Sequence, residues 1–188
     1  KAGSGRMAGM RAGPAPAIDG AACSLGRLAQ SGCAACAAAC PRGALQDSAE
    51  GLVLDALACS GCGACVAACP QRAITVDGAS ELRPEKPGQG AVALVCPRRS
   101  AEGGICLQAL GLEALAGLWL AGVRRVLAVT GACAECPDGR GLDVATRVAA
   151  VDALLAERGL PGLRVDAAAG VPRGVPRLVA SRPQARGR

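Results

Sequence analysis

The sequence predicts two small units of different class: an α+β unit over residues 18–80, then a small α/β unit with a parallel sheet over residues 91–170. Three observations carry this. A cysteine run occurs twice before residue 71, with short strand-like pieces between the copies. A stretch punctuated by Pro84, Pro87, Gly88 and Gly90 then breaks the rhythm. Beyond it, β-branched apolar runs alternate with helical spacing, the order that builds a parallel sheet. Residues 1–17 read as an extended basic arm, 81–90 as a linker and 171–188 as a basic tail.

The first unit rests on its cysteines. Twelve of them stand among 188 residues that include one Trp and no Phe or Tyr. A core of Ala, Val and Leu alone is thin, so the chain is expected to need what its cysteines hold in order to be stable. Most fall in C-x-x-C and C-x-x-x-C groups, the clustering of metal sites, whereas secreted disulfide scaffolds are usually short and irregularly spaced. Histidine is absent, which excludes His-ligated zinc, His-ligated haem, Rieske centres and Ser–His catalysis.

The most specific signal is Cys59-Ser-Gly-Cys62-Gly-Ala-Cys65-Val-Ala-Ala-Cys69-Pro70, which fits C-x2-C-x2-C-x3-C-P throughout. Three thiolates at two-residue gaps wrap three corners of an iron–sulfur cube. The fourth is expected on the first turn of a helix, pointing to a second cluster. Gly61 and Gly63 admit close backbone approach. A structural zinc site prefers two separate pairs and has no use for this run.

An earlier run, Cys33-Ala-Ala-Cys36-Ala-Ala-Ala-Cys40-Pro41, repeats the last three ligands, with Gln30 where the first would fall. Cys23 is the natural substitute if residues 24–32 form an inserted loop. A three-iron species, or another group at that corner, is the alternative. Arg42-Gly-Ala-Leu45 and Gln71-Arg-Ala-Ile74 follow the two runs in parallel, Leu52 to Leu54 lead into the second, and Thr75 and Val76 end the repeat.

This duplication is similar to the bacterial two-cluster ferredoxin family over residues 18–80. The resemblance implies a ferredoxin-like fold with two 4Fe–4S clusters. Cluster one would take Cys23, Cys33, Cys36 and, across the pseudo-symmetry, Cys69; cluster two would take Cys59, Cys62, Cys65 and Cys40. Such clusters conduct single electrons and require no substrate chemistry.

In the second unit, Ala91 to Val95 reads as a strand, and Cys106 to Ala121 as a helix covered on both sides. Val123 to Thr130 reads as a second strand. Val144, Val148, Val151 and Leu155 mark a helix that Gly159 stops, and Leu163 to Asp166 a third strand.

Cys96, Cys106, Cys133 and Cys136 belong to this unit. Cys96 and the pair Cys133 and Cys136 follow neighbouring strands, where open α/β sheets build their sites, and Cys106 begins the helix between them. The order Cys96-Pro-Arg98, helix, Gly122-Val123, VLAVTGAC and Cys136 resembles the small iron–sulfur subunit that links hydrogenase to heterodisulfide reductase, with a closer final cysteine pair. That resemblance implies a 2Fe–2S centre. From the residues alone, a third iron–sulfur cluster (2Fe–2S or 4Fe–4S), a four-thiolate zinc and a redox-active Cys133-Ala-Glu-Cys136 pair stay open. Arg98 and Arg99 either favour thiolates there or are solvated.

The formal net charge of +6 lies at the ends: Lys1, Arg6 and Arg11 in the arm, and Arg173, Arg177, Arg182, Arg186 and Arg188 in the tail, with no acid in either. The body between is slightly acidic, so no nucleic-acid surface is indicated. The arms read as solvated or as docking onto neighbouring subunits. The most apolar stretch, Leu107 to Val123, contains Glu113 and is too short to span a membrane. No secretory signal is recognisable, and what precedes Lys1 is left open. Free thiols favour a reducing compartment, the cytoplasm.

The expected function is therefore an electron-transfer subunit of a larger oxidoreductase, partnered by its other subunits. A thiol or disulfide enzyme using the third cysteine group is the rival, although no G-x-G-x-x-G nucleotide fingerprint opens a helix after a strand. An iron–sulfur assembly or sensor protein is the third reading.

Overall fold

The structure is a computed structural model that describes residues 15–28, 31–76, 81–86, 90–100, 104–139 and 144–181. Its elements in chain order are β1 (Pro16–Ile18), α1 (Ser24–Arg27), α2 (Ala35–Ala38), β2 (Leu45–Ser48), β3 (Gly51–Leu54), α3 (Ala64–Ala68), β4 (Ile74–Val76), β5 (Glu81–Pro84), β6 (Ala91–Val95), α4 (Leu112–Leu120), β7 (Arg125–Val129), α5 (Val144–Ala156), β8 (Arg164–Ala167) and β9 (Leu178–Ser181). Short 3₁₀ turns cover Pro97–Arg99 and Leu107–Ala109.

Two antiparallel pairs frame the first unit. β2 and β3 form a hairpin, and β1 pairs with β4, Pro16 opposite Val76. The repeat at 29-residue spacing is visible in the backbone: Gly43 has φ +61° and Arg72, its counterpart, +55°. A left-handed residue is needed at that turn, and only the first copy supplies the glycine that adopts it freely. Ala44 and Ala73 are both buried, as are Leu45 and Ile74. The insertion expected as a loop contains the single-turn helix α1. Gln30 lies outside the described residues.

The second unit holds a parallel three-stranded sheet in the order β6-β7-β8, as the alternation of strands and helices predicts. Val92, Leu94, Leu115, Leu118, Val126, Val151 and Leu163 form its core. The helix expected over 106–121 is a 3₁₀ turn followed by α4. Only Leu115 and Leu118 of α4 are buried, while Leu112 and Leu120 are exposed, so the helix is covered on one face and not on both.

The arm, linker and tail differ from expectation. Pro16 and Ala17, assigned to the arm, are in β1. The linker and tail segments contribute β5 and β9, which pair antiparallel, Leu82 opposite Ala180. Leu178 is buried in the second core and Leu82 packs against it, and the Ala93 amide donates to Pro176 O. Charge and proline content hid these strands, because an edge pair of four residues carries little periodicity. Residues 1–14, 87–89 and 182–188, including Lys1, Arg6, Arg11, Arg182, Arg186 and Arg188, lie outside the described residues.

Candidate metal centres

The twelve cysteines are all free thiols, gathered in three groups. In the first, Cys23, Cys33, Cys36 and Cys69 line one small cavity, closed by Leu25, Leu52 and Ile74. Burial pushes the Cys36 thiol up from its ordinary value, with Cys69 the next cause and Cys33 a lesser one. In the second, burial pushes Cys65 up to about 12, helped by Cys62, Cys59 and Cys40. The fourth cysteine of each run thus stands with the first three of the other.

Their placement on the helices differs from expectation in one respect. Cys36 and Cys65, the third cysteines, lie within α2 and α3, whereas Cys69 caps the C-terminal end of α3 and Cys40 follows α2. The turn after each helix bends the chain back, and the amides of Ala44 and Ala73 approach Cys40 Sγ and Cys69 Sγ at 3.3 and 3.4 Å. The Gly61 amide reaches Cys59 Sγ at 3.4 Å.

Cys23 occupies the same local frame as Cys59. The amide of Asp19 donates to Ala73 O at 2.8 Å, as that of Asp55 does to Ala44 O. The Cys23 amide donates to Asp19 O and the Cys59 amide to Asp55 O, each at 3.0 Å. Both aspartates fold their carboxylates onto the next turn, accepting from Ala21 and Ala22 in one copy and Leu57 and Ala58 in the other. Sequence reading missed these aspartates. The signal was there, since Asp19-x-x-x-Cys23 and Asp55-x-x-x-Cys59 repeat without a gap.

The third group sits at the C-terminal ends of β6 and β7. Cys106 is pushed up to about 12, first by burial and then by Cys62, Cys96 and Asp138. Cys96 and Cys136 both lie close enough to Arg98 to raise its pKa, after Asp138. Cys133 is tied to Cys136 through a turn, the Cys136 amide donating to Cys133 O. Among the described residues, no three Cys, Asp or Glu side chains converge as a single-ion site.

The second and third groups are neighbours because the two units pack tightly there. A Cβ on Gly63 would lie 2.9 Å from that of Ala109, and one on Gly111 would lie 2.9 Å from Ala67 O. Asp138, 1 % exposed, receives Arg42 Nε on one oxygen and an Arg98 amino group on the other, each at 2.8 Å. Burial alone would raise its carboxyl, but the bonds from Arg98 and Arg42 outweigh it and hold the group below its ordinary value.

These residues fit an iron–sulfur group. The donor set is all sulfur, and Cys23, Cys33, Cys36 and Cys69 surround one cavity, the chemistry an iron–sulfur cluster requires. Ser60 is buried beside the Cys62 thiol and the Asp138 carboxylate.

Paired thiol groups in a duplicated α+β frame support an iron–sulfur, ferredoxin-like segment and, with it, an electron-transfer role. Residues 31–74 match the family described as the 4Fe-4S dicluster domain. No curated protein and no solved structure gave a match. No described helix is long and apolar enough to cross a membrane.

Proposed function

We propose that the chain is an electron-relay subunit of a larger oxidoreductase, holding two 4Fe–4S clusters and a third iron–sulfur centre. Cluster one is held by Cys23, Cys33, Cys36 and Cys69, and cluster two by Cys40, Cys59, Cys62 and Cys65. Cys96, Cys106, Cys133 and Cys136 hold the third. Bound clusters supply reversible one-electron transfer. The chain's part is to desolvate the sulfurs, aim backbone amides at them and bring the groups together. The reading is carried by the exchange of Cys40 and Cys69 between runs, which places Cys40 beside Cys65 and Cys69 beside Cys36. The proximity of Cys106 to Cys62 supports a continuous path into the second unit. Partner subunits would exchange electrons with it in a reducing compartment such as the cytoplasm.

Iron counts in paired variants purified without oxygen test the exchange. Cys62→Ser with Cys40→Ser strikes one cluster twice, and should lose no more iron than Cys62→Ser alone, about four per chain. Cys62→Ser with Cys69→Ser should lose about eight. The reverse pattern would mean that each run keeps its own fourth ligand, and the proposal would fail.

A further inference from the structure

Arg42, Asp138 and Arg98 share a sequence context. Each stands two residues after a cysteine with proline between: Cys40-Pro41-Arg42, Cys96-Pro97-Arg98 and Cys136-Pro137-Asp138. Three turns from distant parts of the chain therefore deliver one sulfur each to the cysteine groups and one charge each to a common point. Arg42 comes from the second group's side, and Arg98 and Asp138 from the third's. Gln108 Nε2 donates to Asp138 O at 2.9 Å and pins the last turn. The fourth Cys-Pro turn, Cys69-Pro70-Gln71, lines the first group's cavity. Gln71 is the repeat counterpart of Arg42, so the first group has a neutral residue where the second has a cation.

We propose that the Arg42–Asp138–Arg98 bridge is a positioning and potential-setting device. It locks the second and third cysteine groups together across the two units and gives the second cluster a more positive surrounding than the first. This rests on the reading of the cysteines as iron–sulfur ligands. Docking alone does not require the charges, since a buried ion pair costs desolvation that an apolar contact avoids. Two arginines on one carboxylate leave a formal excess of positive charge in the bridge, with Arg42 two residues from Cys40 and the Asp138 carboxylate near Cys62. Reduction adds an electron to the cluster, so that charge favours the reduced form and raises the midpoint potential.

The test is an EPR-monitored redox titration of the full chain, with iron measured on the same samples. Asp138→Asn removes the only negative charge of the bridge and should shift one cluster's midpoint upward. Arg42→Gln should shift the same midpoint downward, toward that of the cluster whose counterpart residue is Gln71. Arg42→Lys, which keeps the charge, should restore it. The midpoint of the first cluster, which the bridge does not reach, should stay in place in all three, while the third centre, beside the same bridge, should move with the second. Opposite signs from two variants of one bridge are not produced by loosened packing. Shifts of one sign in both variants, equal shifts of every midpoint, or no shift with full iron would overturn the bridge while leaving the relay standing. Absence of iron–sulfur signal in the unaltered chain would overturn both. If Asp138→Asn does not fold, Arg42→Gln still decides, because Arg42 is one-third exposed.

Discussion

In the first unit the buried cluster is Cys36, Leu45, Cys65 and Ile74, with Cys40 and Cys69 packed against it; in the second it is built of Val and Leu alone. Half the first core is thus sulfur that belongs to the cysteine groups, while the second core would be complete in any aliphatic protein. Burial of Leu94, Leu110, Leu115, Leu118 and Leu163 contributes roughly 2 kcal/mol per side chain, which the first unit has few residues to match. Two regions of one chain therefore differ in what holds them. On the proposed function, binding free energy at sulfur would be folding free energy in the first and not in the second.

The largest effect expected from this contrast follows removal of iron with a chelator under reducing conditions. Amide protection should collapse over residues 31–76 and persist in β6, β7 and β8. Trp119, the only aromatic residue, reports on the second unit alone, where its Nε1 donates to Pro161 O and Arg124 stacks 4.5 Å from its ring. Its emission maximum should hold while the first unit melts. This narrows the expectation, drawn from scarce aromatics, that the whole chain depends on its metal. Simultaneous loss of both units would break the contrast and mean that the Asp138 bridge makes them one cooperative body.

A smaller effect comes from the opposite side. Leu118→Ala leaves a cavity in the second core and should cost about 2–5 kcal/mol by denaturant titration of Trp119 emission. Iron per chain should not change. Iron loss in step with the destabilisation would show that the first unit leans on the second for its clusters.

Particular residues show how much of this was legible in the sequence. The cysteine runs were, because cluster geometry favours ligand gaps of two or three residues, a spacing that stands out in a sequence. The parallel sheet was, since Val92 to Val95 and Val126 to Val129 are continuous apolar runs of the kind a covered strand requires. Cys23 could be placed only by elimination, although the Asp19 and Asp55 turns repeat in plain view. The bridge was not legible at all. Arg42 and Asp138 are 96 positions apart, and a charged residue after Cys-Pro reads as solvated until the fold brings three of them together. The β5–β9 pair stayed hidden for the same reason, a long-range pairing between segments whose local composition resembles linker and tail.

The smallest effect tests whether surface electrostatics share in the second unit's independence. Arg125 Nε and Asp166 Oδ2 are 2.6 Å apart across β7 and β8, with side chains 59 % and 40 % exposed. A pair this open to water is screened by salt and offset by side-chain entropy, so Asp166→Asn should cost about 0.2–1 kcal/mol. The difference from the unaltered protein should shrink further in high salt, read on the same Trp119 transition. A cost above that range that salt does not reduce would mean that the β7–β8 edge depends on this pair. The claim that the second unit stands on aliphatic burial alone would then need revision at its edge.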